Sequence, residues 1–577
     1  VTVAAVFLLC LAILAVAFRV YGGLLARRFG LDARAETPAH RLEDGNDYVP
    51  IPRWYLLGQH FSAISAAGPI VGPIQAAIFF GWLPALLWIV LGSVFIGAMH
   101  DFSALVGSVR HRAESVAEIV REHMSQTAFV LFLAFVWLAL VYVIVAFTNI
   151  TAGAFVDALP LADGRSVTGG GVATASVLYL LIGVSMGVAL HRFRMPLWLA
   201  TLVFVPLVGV AIWFGQAAPL ELPAVVGEGR EGVVRTWCWV ILVYCAVASV
   251  VPMWALLQPR GYLGGFFLYG VLAASFVGIL VGGPTGHDHV TYPAFLGFDS
   301  ERLGTLYPFL FITVACGACS GFHGLVCSGT TSKQLDREPD AHVVGYGGML
   351  LEAVVALISL ACVMMLTVDA AEIRLDPNQI YALGVGRFVE RFGVDRTLAV
   401  SFALLAFTTF VYDTLDVSTR LGRYVLQELF GWRSRAGAFV ATAITVLAPA
   451  IFVSASLTDP QGRPIAAWRV FWPIFGSSNQ LLAGLTLLGI TIWLRRTGRV
   501  RAAWLTGVPM LFMMITTLWS LVLLLRKAWL RVAAGSGVDG PSVVALVLFV
   551  LALALVAEAI RALRAPSGLR LRPRPSA

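Results

Sequence analysis

Apolar runs of about 18 to 25 residues, the length a helix needs to cross a hydrocarbon core of ~30 Å, follow one another along almost the whole of this 577-residue chain. They are separated by short loops that carry arginine, and almost nothing remains for a water-soluble domain. Hydrophobic residues make up 59% and charged residues 12%, against about a quarter charged in an average soluble domain, and the mean hydropathy is +0.85. Continuous apolar runs, as opposed to alternating ones, exclude a barrel of strands and predict an all-α polytopic membrane protein.

The runs predict about fifteen spans, near 1–21, 57–80, 84–108, 128–157, 172–191, 196–216, 236–257, 262–283, 308–328, 342–367, 397–415, 435–456, 470–494, 503–525 and 541–563. The first run lacks a basic leader and a small-residue cleavage site, so it reads as a retained span. With the N-terminus outside, every second loop is cytoplasmic, and those loops hold roughly two thirds of the basic residues, as the resistance of lysine and arginine to translocation requires. The expected topology is therefore N-out and C-in. The net charge of +8 is explained by these loops and implies no nucleic-acid partner. Residues 112–124, RAESVAEIVREHM, predict an amphipathic helix on the inner face, and 368–396 predict a short outer surface helix. All seven cysteines fall in or beside apolar runs, and the Cys316-x-x-Cys319 pair reads as small packing residues.

Polar groups inside spans are costly and so mark candidate sites. The second span contains HFSAISAAGPIVGPIQAA, residues 60–77. Its Gly68-Pro69 and Gly72-Pro73 steps remove backbone donors and permit unwinding, with His60 and Ser65 on the approach. Five spans later, YCAVASVVPMWALLQP places Ser249 before Pro252. Two interrupted segments at matching positions predict an inverted-repeat transporter with its substrate between the broken helices. No arginine lies in either segment, so the half-helix N-termini are expected to face a substrate carboxylate.

Three further clusters bear on chemistry. GACSGFHGLVCSGTTSKQL (317–335) supplies Ser320, His323, Thr330 and Thr331, hydroxyls and an imidazole suited to a cation or a carboxylate. YDTLDVSTRLGRY (412–424) sets Asp413, Asp416 and Arg420 on one helical face, either an intrahelical ion pair or a proton site. Asp101, beside His100, and Glu352 complete the ionisable set, either as proton relays or, being close to arginine-bearing loops, as solvated or paired groups. Asn479 and Gln480 in the thirteenth run read as glue between helices. In an outer loop, His287, Asp288 and His289 can enter a metal coordination sphere if Asp299 or Glu301 adds a ligand. Nothing else in the sequence calls for a cofactor.

Six stretches resemble the carbon starvation protein A (CstA) family: DGNDYVPIPRWYLLGQHFSAISAAGPIVGP (44–73), FGWLPALLWIVLGSVFIGAMHDF (80–102), SVVPMWALLQPRGYL (249–263), FHGLVCSGTTSKQL (322–335), DTLDVSTRLGRYVLQEL (413–429) and WPIFGSSNQLLAGL (472–485). The chain departs from the family's frequent histidine pair at Gln59-His60 and from its proline at Ser332. The resemblance implies a bacterial inner-membrane secondary transporter of the carbon starvation response, taking up peptides or pyruvate with a proton or sodium ion. It also implies kinship with the amino acid, polyamine and organocation (APC) superfamily and a LeuT-like core over 44–425. Around that core stand an added N-terminal helix (1–25), added C-terminal helices (426–564) and a basic cytoplasmic tail (565–577). Substrate would meet His60, Ser65, Gly68, Pro69, Gly72, Ser249, Pro252 and His323, and the cation Asp101, Ser320, Thr330, Thr331, Asp413 and Asp416. The rival reading is a channel, or a metal-binding membrane protein without coupled transport. A membrane enzyme is not expected, because no nucleophile, base and metal converge outside the His287–His289 loop.

Overall fold

The computed structural model describes residues 2–45, 48–252, 254–282, 288–432, 434–455, 465–534 and 539–564. Within them the chain is helical, with two short two-stranded ladders, Leu159–Pro160 on Ser166–Val167 and Asp299–Ser300 on Gly304–Thr305. The first half carries α1 (Val3–Phe29), α2 (Arg53–Ile64), α3 (Gly68–Phe80), α4 (Trp82–Arg110), α5 (Val116–His123), α6 (Gln126–Val156), α7 (Gly169–Arg192), α8 (Leu197–Ala217), α9 (Gly229–Val250) and α10 (Leu257–Gly282). The second carries α11 (Leu306–Thr313), α12 (Gly321–Gly329), α13 (His342–Met364), α14 (Pro377–Glu390), α15 (Arg396–Phe430), α16 (Arg435–Ser454), α17 (Ala467–Arg496), α18 (Val500–Ala533) and α19 (Gly540–Arg564).

Thirteen of these are long and apolar enough to cross a membrane, and α2 with α3 makes one further span bent by 50°. The run at 308–328, expected as a single span, is instead two helices of eight and nine residues separated by residues 314–320. The protein is thus a multi-pass helical membrane protein. Its most buried spans are α6, α13, α15 and α17, whereas α1, α8, α18 and α19 turn large apolar side chains such as Leu9, Trp198, Trp504 and Val550 outward, as lipid contact demands.

Loops that alternate along the sequence gather at opposite ends of the bundle. At one end Arg110 pairs with Glu338 at 2.6 Å and donates to the Phe29 and Gly30 carbonyls, Arg496 donates to Ala562 O, and Ser125 to Glu558. At the other, Arg391 pairs with Asp288, Arg165 with Asp395 and Arg469 with Asp376. The helix read at 112–124 is α5, whose Val116, Ile119 and Val120 are buried against the bundle, and the one read within 368–396 is α14, opened by an Asp376/Gln379 capping box. Far from lying loosely on the surface, α14 buries Tyr381, Val385 and Phe388 among α10, α13 and α15.

Both interruptions differ from their sequence-based places. In the second span the chain leaves helical geometry at Ser65–Ala67, not at Gly68–Pro73. Pro69 stands in the first turn of α3, where a missing N–H costs nothing. The second interruption is not near Ser249–Pro252: α9 is continuous to Val250, and Pro252 follows its end. It is at 314–320, and the two breaks meet. A Cβ on Gly68 would stand 2.3 Å from Cys316 Cβ, and one on Gly72 2.4 Å from Thr313 O. The glycines therefore serve backbone approach, which a proline count cannot reveal.

Around these breaks the same order of elements recurs: a broken helix, a long helix containing a π turn (Ser93–Gly97; His342–Tyr346), a short amphipathic helix, and a long buried helix. The long buried pair, α6 and α15, pack on each other, and α9 and α16 each pack on both. α10 packs on α2 and α14, as α17 does on α12 and α5. The α7–α8 hairpin has no counterpart in the second set. We expect Gly72→Ala to cost about 1–3 kcal/mol through overpacking, read as a lower unfolding midpoint in detergent. Gly209→Ala on α8, where a Cβ meets nothing within 4 Å, should leave the midpoint unchanged or raise it.

Candidate functional site

Two buried polar clusters stand on the walls of the broken helices. The first joins α4, α12 and α13. His100 Nδ1 lies 2.7 Å from Asp101 Oδ1, and His323 Nδ1 lies 2.9 Å from Asp101 Oδ2. The other ring nitrogen of His323 stands 3.1 Å from Glu352 Oε2, within ion-pair range but off a hydrogen-bonding angle. All four side chains have 0% exposure. Asp101 and His323, assigned from sequence to different tasks, are thus one chain of groups with His100 and Glu352.

The second cluster joins α2, α7, α9, α10 and α15 around Arg260, which is also 0% exposed. Its Nε donates to Asp413 Oδ1 at 2.8 Å, and its Nη1 reaches Asp416 Oδ2 and the Tyr244 hydroxyl. Tyr244 donates to Asp416 Oδ2 and Ser62 to Asp413 Oδ2, each at 2.7 Å, while Tyr179 donates to the Arg260 carbonyl. This overturns two expectations. Asp413 and Asp416 do not pair with Arg420, whose guanidinium instead caps α9 by donating to the Ala248 and Val251 carbonyls. And an arginine does lie among the candidate helices. Arg260 read as a loop residue because Gln258, Pro259 and Gly261 surround it. The available signal was the carboxylate pair itself: α15 runs 35 residues to Phe430, which buries Asp413 and Asp416 within the helix, and buried carboxylates require a cation from elsewhere.

Between the clusters lies a cleft of roughly 460 Å³, its open mouth included, lined by Gln59, His60, Ser62, Thr330, Thr331 and Asp413 among others. His60 Nδ1 is 2.9 Å from Thr331 Oγ1, and its Nε2 has no hydrogen-bond partner among the described residues. Thr330 bonds back to Val326 O within its own helix.

The remaining sequence candidates lie off the cleft. Ser65 is buried at the first break with its hydroxyl unpartnered, and Gly68, Pro69 and Gly72 pack on the second break. Ser249 faces Thr442 at 3.4 Å, and Pro252 lies beyond α9. Ser320 is within 3.2 Å of the Asn479 amide, which also accepts from Phe322 N, while Gln480 donates to Phe311 O. Asn479 and Gln480 therefore hold the broken segment, in keeping with a gluing role. Cys316 and Cys319 are buried free thiols at the break. Of the outer loop, His287 lies outside the described residues, Asp288 pairs with Arg391 at 2.6 Å, and His289 bridges to Thr2.

The family model for carbon starvation protein CstA matches residues 2–374 and 368–520. The chain belongs to the CstA family. The peptide transporter CstA of Escherichia coli is 32% identical over 87% of this chain and 78% of its own length. The Bacillus subtilis peptide transporter CstA is 30% identical over 96% and 95%, and the E. coli pyruvate/proton symporter BtsT is 30% identical over 88% and 79%. Among solved structures, a manganese transporter of Eremococcus coleocola aligns over 90% of this chain and 98% of its own with a TM-score of 0.48 at 13% identity.

Removing the guanidinium leaves two buried carboxylates without their cation. Arg260→Gln should therefore cost about 3–5 kcal/mol, read as loss of the folded fraction in detergent. Asp413→Asn with Asp416→Asn in the same background should restore part of it.

Proposed function

We propose that this CstA-family chain is a secondary transporter of the bacterial cytoplasmic membrane that takes up pyruvate or short peptides with a coupled proton. The observation that carries the reading is the buried chain His100, Asp101, His323 and Glu352. Among the described residues no arginine or lysine bonds to any of the four, so their charge is set by protons alone, and a charge left unbalanced within the membrane is costly. A proton taken up there changes what α4, α12 and α13 can tolerate as neighbours, and those helices flank both breaks. The relatives' names, peptide transporter and pyruvate/proton symporter, agree with this substrate range and cation. Sodium is the less favoured partner, since the Ser320 hydroxyl proposed to hold it is occupied by Asn479.

Substrate enters the cleft between α2, α12 and α15. His60, Gln59 and Thr331 offer hydrogen bonds on one wall and Asp413, held from behind by Arg260, stands on the other. The narrow cleft favours the small end of the substrate range. The recurrence of α2–α6, α9 and α10 as α11–α17 supports a LeuT-like, APC-superfamily inverted repeat. We place that core at 53–496, with α7–α8 inserted, in preference to 44–425. The arginine-rich end of the bundle is assigned to the cytoplasm.

In proteoliposomes, an inward proton gradient should drive accumulation of labelled pyruvate or a dipeptide, and a sodium gradient alone should not. Asp101→Asn should abolish accumulation while leaving substrate binding measurable by thermal shift. If neither gradient drives accumulation, coupled transport is refuted. For topology, because all seven native cysteines are buried, an impermeant thiol reagent added outside cells should label Asp163→Cys and spare Arg121→Cys.

A further inference from the structure

At the arginine-rich end of the bundle, away from the cleft and from both buried clusters, three side chains with metal-binding atoms converge. His111 is the residue that ends α4, and Glu122 and His123 close α5. The Nε2 atoms of His111 and His123 face each other at 3.0 Å, and the Glu122 carboxylate stands 3.8 Å from the first and 4.0 Å from the second. We propose that His111, Glu122 and His123 form a site for a divalent transition-metal ion of the Zn²⁺ class, which staples α5 to the end of α4.

The geometry supports this in three ways. Ligands about 2.0–2.1 Å from a tetrahedral ion lie about 3.3–3.4 Å from one another, so the two imidazoles already stand near that spacing and the exposed Glu122 side chain closes the remainder by turning one oxygen inward. Next, His111 Nδ1 is 2.6 Å from the Gly107 carbonyl. That contact places the ring proton on Nδ1 and aims the Nε2 lone pair at His123, the backbone support that metal-binding histidines commonly have. Finally, His111 sits edge-on to Trp493, whose ring centroid is 5.3 Å away, so its orientation is fixed by packing before any ion arrives.

Without an ion, the His111–His123 contact can be satisfied only by a shared proton, and a metal ion takes the place of that proton. Arg496 is the nearby cation, and its guanidinium is engaged with the Ala562 carbonyl. Two imidazoles and a single carboxylate select a borderline transition ion over Mg²⁺ or Ca²⁺, which prefer all-oxygen sites. Three protein ligands leave the fourth position to water.

The test uses the full chain purified through a histidine-free tag, stripped with chelator, and titrated with Zn²⁺ against a fluorescent competitor. We expect one ion per chain and a Zn²⁺-dependent rise in the unfolding midpoint, neither of them reduced by millimolar Mg²⁺. His123→Ala should weaken binding at least about tenfold, the scale on which metal sites respond to lost support, and remove the midpoint shift. Glu122→Gln changes an exposed side chain, so it tests the site without risk to the fold, and it should weaken binding too. No binding by the parent chain overturns the proposal, as does equal binding by the parent and both variants.

Discussion

A guanidinium with no access to solvent, held between two carboxylates on one long helix, sets the terms for the centre of this protein. Arg260 comes from α10, Asp413 and Asp416 from α15, and Tyr244, Tyr179 and Ser62 from three further helices complete the shell. An ion pair this deep is not retained for stability, since apolar residues of similar volume often do as well. What it secures is register. The five helices can approach only where each donor finds its acceptor, and this arrangement positions Asp413 on the wall of the cleft. The other buried cluster is of another chemical kind: around Asp101 the bonded partners are imidazoles and not guanidinium groups.

Close backbone approach is the second constraint. The two broken helices touch at their breaks, where Gly68 and Gly72 admit the chain at Thr313–Cys316. Unwound backbone can exist within a membrane only where protein covers it, and each break supplies part of the cover for the other. The π turns add a smaller version of the same economy. The carbonyls of Phe18, in α1, and Val94, in the π turn of α4, accept bonds from His342 and Tyr346 of the π turn in α13.

Much of this was legible in the sequence, for physical reasons that also explain what was not. Apolar length fixes spans because lipid imposes it, and most runs became single helices near their expected bounds, while the helices at Val3–Phe29, Gly229–Val250, Arg396–Phe430 and Val500–Ala533 depart from them by seven residues or more and two runs are broken. Alternate loops gathered at opposite ends, as consecutive spans require. The first break was legible only to within a turn: the Gly-Pro steps flagged its neighbourhood, but they open α3, and the chain leaves the helix just before them at Ser65–Ala67. The second was not: GACS carries no proline, and its unwinding follows from contacts with Asn479, Gln480 and the first break, all distant in sequence. Proline near Ser249 misled for the converse reason, since it marks the end of α9. Arg260 and its carboxylates were each visible, but a pairing between residues 153 positions apart has no local signature. His111 and His123 went unremarked because histidine in a charged loop resembles a solvated face.

The grip of α17 on the second break has a mechanical consequence. Asn479 accepts from the start of α12 and the adjacent Gln480 donates to the end of α11, so both loose ends of the interruption are tied within two residues of one unbroken helix. The gap cannot widen or shift without straining the amides that bridge it. Beside the first break only the Thr414 hydroxyl, at 3.5 Å from the Ala63 carbonyl, reaches the backbone from another helix among the described residues, and the Ser65 hydroxyl is unpartnered. Of the two discontinuities, one has both its ends carried on a single rigid shaft, while the other hangs from α2, whose hold on its neighbours is through side chains, Ser62 on Asp413 and His60 on Thr331.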